Sequence, residues 1–86
     1  MKRETFKISR PEGMVNVLGW TFTKDGLDIG IDKRKSPINS DIWWYVTELS
    51  TGLRLPFKYA TRKNALDGLD AWLYKIKEIL QQKKTA

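Results

Sequence analysis

The chain has 86 residues, of which 41% are hydrophobic and 30% charged, and its formal net charge is +6. This size and balance indicate one small globular domain over residues 1–86, with flexible ends at 1–4 and 83–86. The chain contains no cysteine and no histidine, which excludes disulfides, thiolate or imidazole metal ligands and nucleophile–histidine catalysis. We therefore expect a protein that is not an enzyme and uses no metal or cofactor. Because no apolar run approaches the roughly 18 residues of a membrane span, we also expect it to be cytoplasmic.

Residues 1–32 predict a short strand and a β-hairpin. Thr5–Ile8 alternates polar and apolar side chains, as an edge strand does. Asp25-Gly26 separates two alternating runs, Val15–Lys24 and Leu27–Asp32, and favours a type I′ turn with positive φ at both residues. That turn sets the register and gathers the apolar side chains on one face. The expected pairs are Lys24–Leu27, Phe22–Ile29 and Trp20–Ile31.

A second hairpin is predicted between residues 41 and 59. Asp41–Leu49 and Leu53–Tyr59 flank Ser50-Thr51-Gly52, and Gly52 suits the left-handed position of a type I turn with a bulge. This turn would place Leu49 opposite Leu53. The face toward the core is then expected to carry Trp43, Tyr45, Leu49, Leu53, Leu55, Phe57 and Tyr59. The opposite face is expected to carry Trp44, Val46, Glu48, Arg54, Pro56 and Lys58.

From Thr61 onward the apolar spacing becomes that of an amphipathic helix, with Thr61 as its N-cap and an end near Gln82. Gly68 costs about 1 kcal/mol within a helix relative to alanine, which indicates a close approach to the sheet. The sequence therefore predicts an α+β fold, an antiparallel sheet of four to five strands in two hairpins packed on one C-terminal α-helix. The expected core residues are Trp20, Phe22, Ile29, Trp43, Leu55, Phe57, Leu66, Leu69, Leu73 and Ile76.

Two basic groups are candidates for binding a polyanion. Lys33-Arg34-Lys35 opens a stretch without periodicity, residues 33–40, which predicts a mobile basic loop. Arg62 and Lys63 open the helix, where free N–H groups and the helix dipole favour a phosphate. The alternative is that both groups are ordinary solvated charges. The same two interpretations extend to the basic residues near the chain ends, Lys2, Arg3, Lys7, Arg10, Lys83 and Lys84.

An aromatic candidate lies on the predicted outer face of the sheet. There Trp44 would stand between Arg54 and Lys58, an arrangement typical of proteins that stack bases on a sheet. The same surface, with Val46, could instead contact a protein, because tryptophan and arginine dominate interface hot spots. In a third interpretation, the N-terminal strand or the loop at 33–40 covers Trp44.

The acidic residues give no sign of catalysis. Asp25 belongs to a turn, and Asp28, Asp32, Asp67 and Asp70 are interpreted as solvated residues of a strand or the helix. Their spacing matches no EF-hand loop, and the chain has no P-loop or dinucleotide fingerprint. We therefore expect neither a metal site nor a catalytic carboxylate.

The stretch Trp43–Trp72, with its Ser50-Thr51-Gly52 turn and following helix, resembles the three-stranded DNA-binding domains of plant ethylene-response factors and of integrase arm-binding domains. In those families the exposed sheet face enters the major groove, so the resemblance implies DNA contacts by Trp44, Arg54 and Lys58. The helix start at Thr61–Ala65 is similar to the basic helix start of double-stranded RNA-binding domains.

Two functional hypotheses follow. The first is a non-catalytic nucleic-acid-binding accessory domain, with DNA favoured over RNA, that binds through Lys33, Arg34, Lys35, Trp44, Arg54, Lys58, Arg62 and Lys63. The second is a protein-interaction or self-associating module, such as a phage-type accessory or inhibitor protein or a homodimer, that uses Trp44 and Val46. Binding to phosphates weakens steeply with salt, whereas an apolar interface hardly responds.

Overall fold

The computed structural model describes residues 1–85, and side chains through Gln82, as five strands followed by one helix. Each strand pairs antiparallel with the next one in sequence, so the sheet order is β1-β2-β3-β4-β5. The predicted α+β class is therefore confirmed, with the sheet at the upper end of the expected size. The elements are β1 Lys2–Arg10, β2 Gly13–Lys24, β3 Leu27–Lys35, β4 Ile42–Glu48, β5 Leu53–Arg54 and α1 Arg62–Thr85.

The ends of the chain differ from expectation where the structure describes them. β1 begins at Lys2 and pairs over its whole length with β2, so residues 2–4 form a strand rather than a flexible end. α1 continues to Thr85, three residues beyond the expected end. The predicted flexible segment 83–86 lies outside the residues whose side chains are described.

The first hairpin has the predicted register. Asp25 and Gly26 have φ values of 51° and 78°, as a type I′ turn requires. The predicted pairs Trp20–Ile31, Phe22–Ile29 and Lys24–Leu27 are all present. The local turn chemistry and the alternation of side chains therefore agree on one arrangement.

The second hairpin is shifted by one residue from the predicted register. Gly52 has the expected positive φ of 75°, but Leu53 pairs with Glu48 instead of Leu49. The turn spans residues 49–52, and the carboxylate of Glu48 accepts hydrogen bonds from the N–H and hydroxyl groups of both Ser50 and Thr51. A shift of one residue sends side chains to the other face, so Arg54 lies on the side of Thr47 rather than on that of Glu48. The ladder with β3 pairs Val46 with Ile31 and Trp44 with Lys33, so Trp44 and Val46 face the helix while Trp43 and Tyr45 do not.

The last strand is much shorter than the predicted Leu53–Tyr59. β5 ends at Arg54, two residues before Pro56, which has no N–H to donate to a ladder. The chain returns to the sheet only at Tyr59, which forms an isolated bridge with Trp44. Phe57 lies between these points and is 46% exposed, so its expected place in the core is wrong, as is that of Trp43.

The main core lies between α1 and one face of the sheet. Thr61 caps the helix through a hydrogen bond of 3.1 Å from the Asn64 N–H to its hydroxyl, as predicted. The buried members of this core are Ile29, Ile31, Val46, Ala65, Leu69 and Ile76. Of the other predicted core residues, Trp20, Phe22, Leu55, Leu66 and Leu73 are partly buried against it.

The other face of the sheet curls into a half-barrel with an interior of its own. The Ser9 N–H donates to the Gly52 carbonyl at 2.7 Å, which joins β1 to the turn before β5. Inside, the ring of Phe6 covers Gly30, where a Cβ atom would lie 2.8 Å from Phe6 Cζ. Glycine is thus required here by a close approach rather than by its backbone angles. The buried residues of this interior include Phe6, Ile8, Thr21, Asp32 and Thr47.

Gly68 marks a close approach, but to Tyr59 rather than to a strand. A Cβ atom at position 68 would overlap the phenol ring of Tyr59. We therefore expect Gly68→Ala to lower the free energy of unfolding by about 1–2 kcal/mol, although the same change stabilises an exposed helix by about 1 kcal/mol. Urea unfolding measures this difference. In a Tyr59→Ala background the sign should reverse, and a destabilising effect in both backgrounds would contradict the explanation.

The turn after β4 should make stability depend on the charge of Glu48. Burial alone would raise the pKa of Glu48, but the hydrogen bonds from Ser50 and Thr51 outweigh it and lower the pKa below 4.5. Such a group stabilises the fold above its unfolded pKa and loses that contribution as the pH falls through the folded pKa. Glu48→Gln should therefore cost about 1–3 kcal/mol near neutral pH. The difference from wild type should shrink in urea unfolding at about pH 3, and a difference that does not change with pH would contradict this role.

Candidate functional site

The helix covers only part of the sheet face on which it lies. Beyond Trp20 and Trp44 this face carries exposed side chains from all four long strands. We call this uncovered part the open basic face, because its exposed side chains include four cations. It consists of Arg3, Lys7, Leu18, Trp20, Lys33, Lys35, Ile42 and Trp44.

The strand register places the four cations on this one face. Arg3 pairs with Trp20, and Lys33 pairs with Trp44. Lys7 lies two steps beyond Arg3 on the same face of β1. Lys35 lies one step beyond Lys33 on β3 and pairs with Ile42. Directly paired residues project to the same side of a sheet. None of the residues that the described strands place on the open basic face is acidic.

Two tryptophans form the centre of the open basic face. The ring centroids of Trp20 and Trp44 are 5.4 Å apart, and the planes are tilted by 36°. The guanidinium of Arg3 lies 5.0 Å from the Trp20 ring, and the ammonium of Lys33 lies 5.8 Å from the Trp44 ring. Both distances are within the range of a cation–π contact. The site thus combines positive charge with a partly exposed aromatic surface.

This arrangement corrects three expectations about the binding residues. Trp44 lies on the helix side of the sheet rather than on the outer face, half-buried against the core and beside Trp20. Lys33 and Lys35 belong to β3 rather than to a mobile loop. Val46 is 1% exposed beneath α1, so the interaction surface predicted for Trp44 and Val46 does not exist.

The helix start lies next to the open basic face. Trp44 and Tyr59 exchange two backbone hydrogen bonds of 2.7 Å and 2.9 Å, which anchor the chain just before α1. Arg62 and Lys63 follow within four residues and are exposed. The first turn of α1 contains no acidic residue. Two of the predicted phosphate-binding residues therefore extend the basic surface beyond Trp44.

Three other predicted binding residues lie on the opposite side of the sheet. The Arg54 Nη2 atom is 3.0 Å from Asp32 Oδ2, and the Arg34 Nε atom is 3.5 Å from the same oxygen. The Lys58 ammonium lies 4.4 Å from the ring of Trp43. The prediction that Arg54 and Lys58 flank Trp44 is therefore wrong. The resemblance to three-stranded DNA-binding domains implied one DNA-contacting surface of Trp44, Arg54 and Lys58. In this five-stranded sheet, Trp44 lies on one face and the other two residues lie on the opposite face.

Asp32 is a buried charge that sequence reasoning placed in solvent. Asp32 is only 1% exposed. Burial raises the pKa of its carboxyl group above 3.8, although the positive charges of Arg54 and Arg10 oppose this shift. Its Oδ1 atom, Thr47 Oγ1 and Arg54 Nη1 are buried without a hydrogen-bond partner among the described residues. Gly19 and Gly30 within predicted strands were the signal for this packed interior. Asp32, Arg34 and Arg54 therefore form an ion-pair cluster on the other side of the sheet from the open basic face.

No family model, curated protein or solved structure matches the chain. In the part of the chain that the structure describes, no helix combines the length and apolar character needed to cross a bilayer. Among the same residues there is no cluster of three or more acidic side chains that could hold a metal ion.

The ion pair of Arg54 should control stability in a pH-dependent way. A raised folded-state pKa means that Asp32 contributes its full stability below about pH 3.8 and loses part of it as the pH rises through the folded value. Arg54→Ala removes the guanidinium that opposes this shift and leaves Asp32 buried with less compensation. We expect a loss of about 3 kcal/mol at neutral pH and a smaller loss at about pH 4, measured by urea unfolding.

A double variant provides the control for this prediction. Adding Asp32→Asn to Arg54→Ala removes the titrating group, so the loss relative to wild type should depend less on pH than in Arg54→Ala alone. Equal losses at both pH values for Arg54→Ala would show that Asp32 does not carry the effect.

Proposed function

We propose that this chain is a non-catalytic nucleic-acid-binding domain whose contact surface is the open basic face. The observation that carries the proposal is the placement of four exposed cations on the sheet face that carries Trp20 and Trp44, two of them against the indole rings, without an acidic residue among the strand positions of that face. Cations on such a surface can neutralise phosphates and release their condensed counterions. The exposed parts of the two indoles add a flat apolar surface for contact with bases.

The helix start supports the same function. Arg62 and Lys63 continue the basic surface past Trp44, so a nucleic-acid backbone that crosses the sheet would meet cations on both sides of the indoles. Phosphate contacts of this kind position a ligand but do not read its sequence. We therefore propose a sequence-tolerant accessory domain that acts on nucleic acid in the cytoplasm, with DNA favoured as the ligand.

The proposal is tested by fluorescence anisotropy with labelled 20-nucleotide single-stranded and double-stranded DNA, and with the matching RNA. Binding should be measurable at about 50 mM salt and should fall steeply toward 200 mM. Lys33→Glu/Lys35→Glu should weaken it by at least about tenfold and reduce the salt slope by about two, because two phosphate contacts are lost. Trp44 lies between these cations and the helix start, so ligand binding should also quench tryptophan fluorescence.

The matched control is Lys75→Glu/Lys77→Glu, which makes the same change in net charge on exposed positions of α1. This variant should bind nearly as well as wild type. An equal loss in both variants would mean that only net charge matters and would overturn the assigned surface. An absence of binding to any of the ligands at the lower salt concentration would overturn the function.

A further inference from the structure

A second exposed surface lies at the other end of the molecule, between the segment that follows β4 and the C-terminal half of α1. It is an apolar groove with one wall from residues 48–56 and the other from α1. The walls are formed mainly by Leu53, Leu55, Pro56, Trp72, Ile79 and Leu80. We call it the hairpin–helix groove.

The groove is a consequence of where the sheet ends. β5 stops at Arg54, and Pro56 prevents the chain from continuing the ladder toward the helix. α1 nevertheless runs on to Thr85. Large apolar side chains of the helix and of the segment beside it therefore remain uncovered. Leu53 is 43%, Phe57 46% and Ile79 42% exposed. Contiguous exposed apolar surface of this kind in a small protein commonly marks an interaction site.

The size of the groove limits what can enter it. Its volume is about 120 Å³, somewhat less than that of an apolar cavity of about 150 Å³ that accommodates benzene. This is room for one branched aliphatic or aromatic side chain and too little for a drug-sized molecule, which needs at least about 300 Å³. The groove therefore fits an anchor residue of a protein partner.

Charge around the groove indicates what should flank that anchor. Lys75 lies three residues after Trp72 and four before Ile79, which places it on the same side of α1. It forms no ion pair with the residues that the structure describes. Glu48 and Arg54 also line the groove, on the wall opposite α1. Arg54 is paired with Asp32, and Glu48, whose oxygens accept from Ser50 and Thr51, keeps its negative charge. A carboxylate on the partner therefore finds an available cation on the helix side of the groove, at Lys75, and not on the side of Glu48.

We propose that the hairpin–helix groove binds a segment of a partner protein that inserts one large apolar side chain and places acidic residues next to it. The site is separate from the open basic face and does not depend on nucleic-acid binding. The chain would then connect two partners, because the surfaces lie on different parts of the fold.

The test is an amide chemical-shift titration of the chain with three synthetic ten-residue peptides. The first has a central phenylalanine flanked by glutamates, the second replaces phenylalanine by alanine, and the third replaces the glutamates by lysines. The first should shift the amides around Leu53 and Ile79 and the indole N–H of Trp72 in a saturable way. The other two should bind at least about tenfold more weakly, since each lacks one of the two contacts.

Variants of the chain locate the site and provide controls. Ile79→Glu should abolish the shifts, whereas Tyr74→Glu on the same helix, at a residue that is 70% exposed and does not line the groove, should not. Lys75→Glu should weaken the first peptide by at least about threefold, as expected for loss of an exposed ion pair. Circular dichroism confirms that each variant is folded, and Leu53→Ser is a second, uncharged disruption of the same groove.

Three outcomes would overturn this proposal. The first is the absence of saturable shifts with the phenylalanine peptide. The second is equal binding of the glutamate and lysine peptides, which would remove the acidic partner. The third is a dimer in sedimentation equilibrium that Ile79→Glu dissociates, because a second copy of this chain would then be the occupant.

Discussion

The arrangement of both proposed surfaces depends on the register of β4 with its two neighbours, β3 and β5. The carboxylate of Glu48 satisfies the N–H groups of Ser50 and Thr51, and this local bonding fixes Leu53 opposite Glu48. The longer ladder between β3 and β4 decides which of the two neighbouring tryptophans of β4 faces the helix, because it pairs Trp44 with Lys33 and Val46 with Ile31. It places Trp44 against Trp20 and leaves Trp43 beneath Lys58. A turn shorter by one residue would instead exchange the sides of Leu53 and Arg54.

Sequence patterns predicted the strands and the helix of this fold better than they predicted which side chains of each strand face the helix. The hairpin at Asp25-Gly26 was correct in its pairs because turn chemistry and alternation agreed. The helix cap was also predicted correctly, because the N-cap preference of Thr61 and the start of the helical apolar spacing indicated the same position. In the second hairpin two registers offered comparable apolar faces, because Trp43, Trp44 and Tyr45 are consecutive aromatic residues. The choice depended on a side chain bonding to its own turn, which no periodicity reveals.

The candidate site was predicted in part, and the errors have two causes, the register of β5 and the curvature of the sheet. Lys33, Lys35, Trp44 and the helix start lie together on or beside one surface, as the binding hypothesis required. Arg54 lies elsewhere because the shifted register pairs it with Thr47, on the side opposite Trp44, where it reaches Asp32. Asp32 is buried there because the sheet curls. Curvature arises from contacts between distant strands, here β1 and the last turn. Alternation within a single strand does not reveal this curvature, and on a flat sheet Asp32 would lie in solvent.

The bond between Ser9 and Gly52 also implies an order of events in folding. Every strand pairs with its neighbour in sequence, so hairpins can form from local contacts, which favours rapid folding. The contact between Ser9 and Gly52 instead joins residues at opposite ends of the sheet, and closing so long a loop costs entropy that local pairing does not. We expect this closure to come late. We then expect the carboxylate of Asp32 to stay hydrated until this closure brings Phe6 over the interior, so that the charge loses its water in the last step of folding.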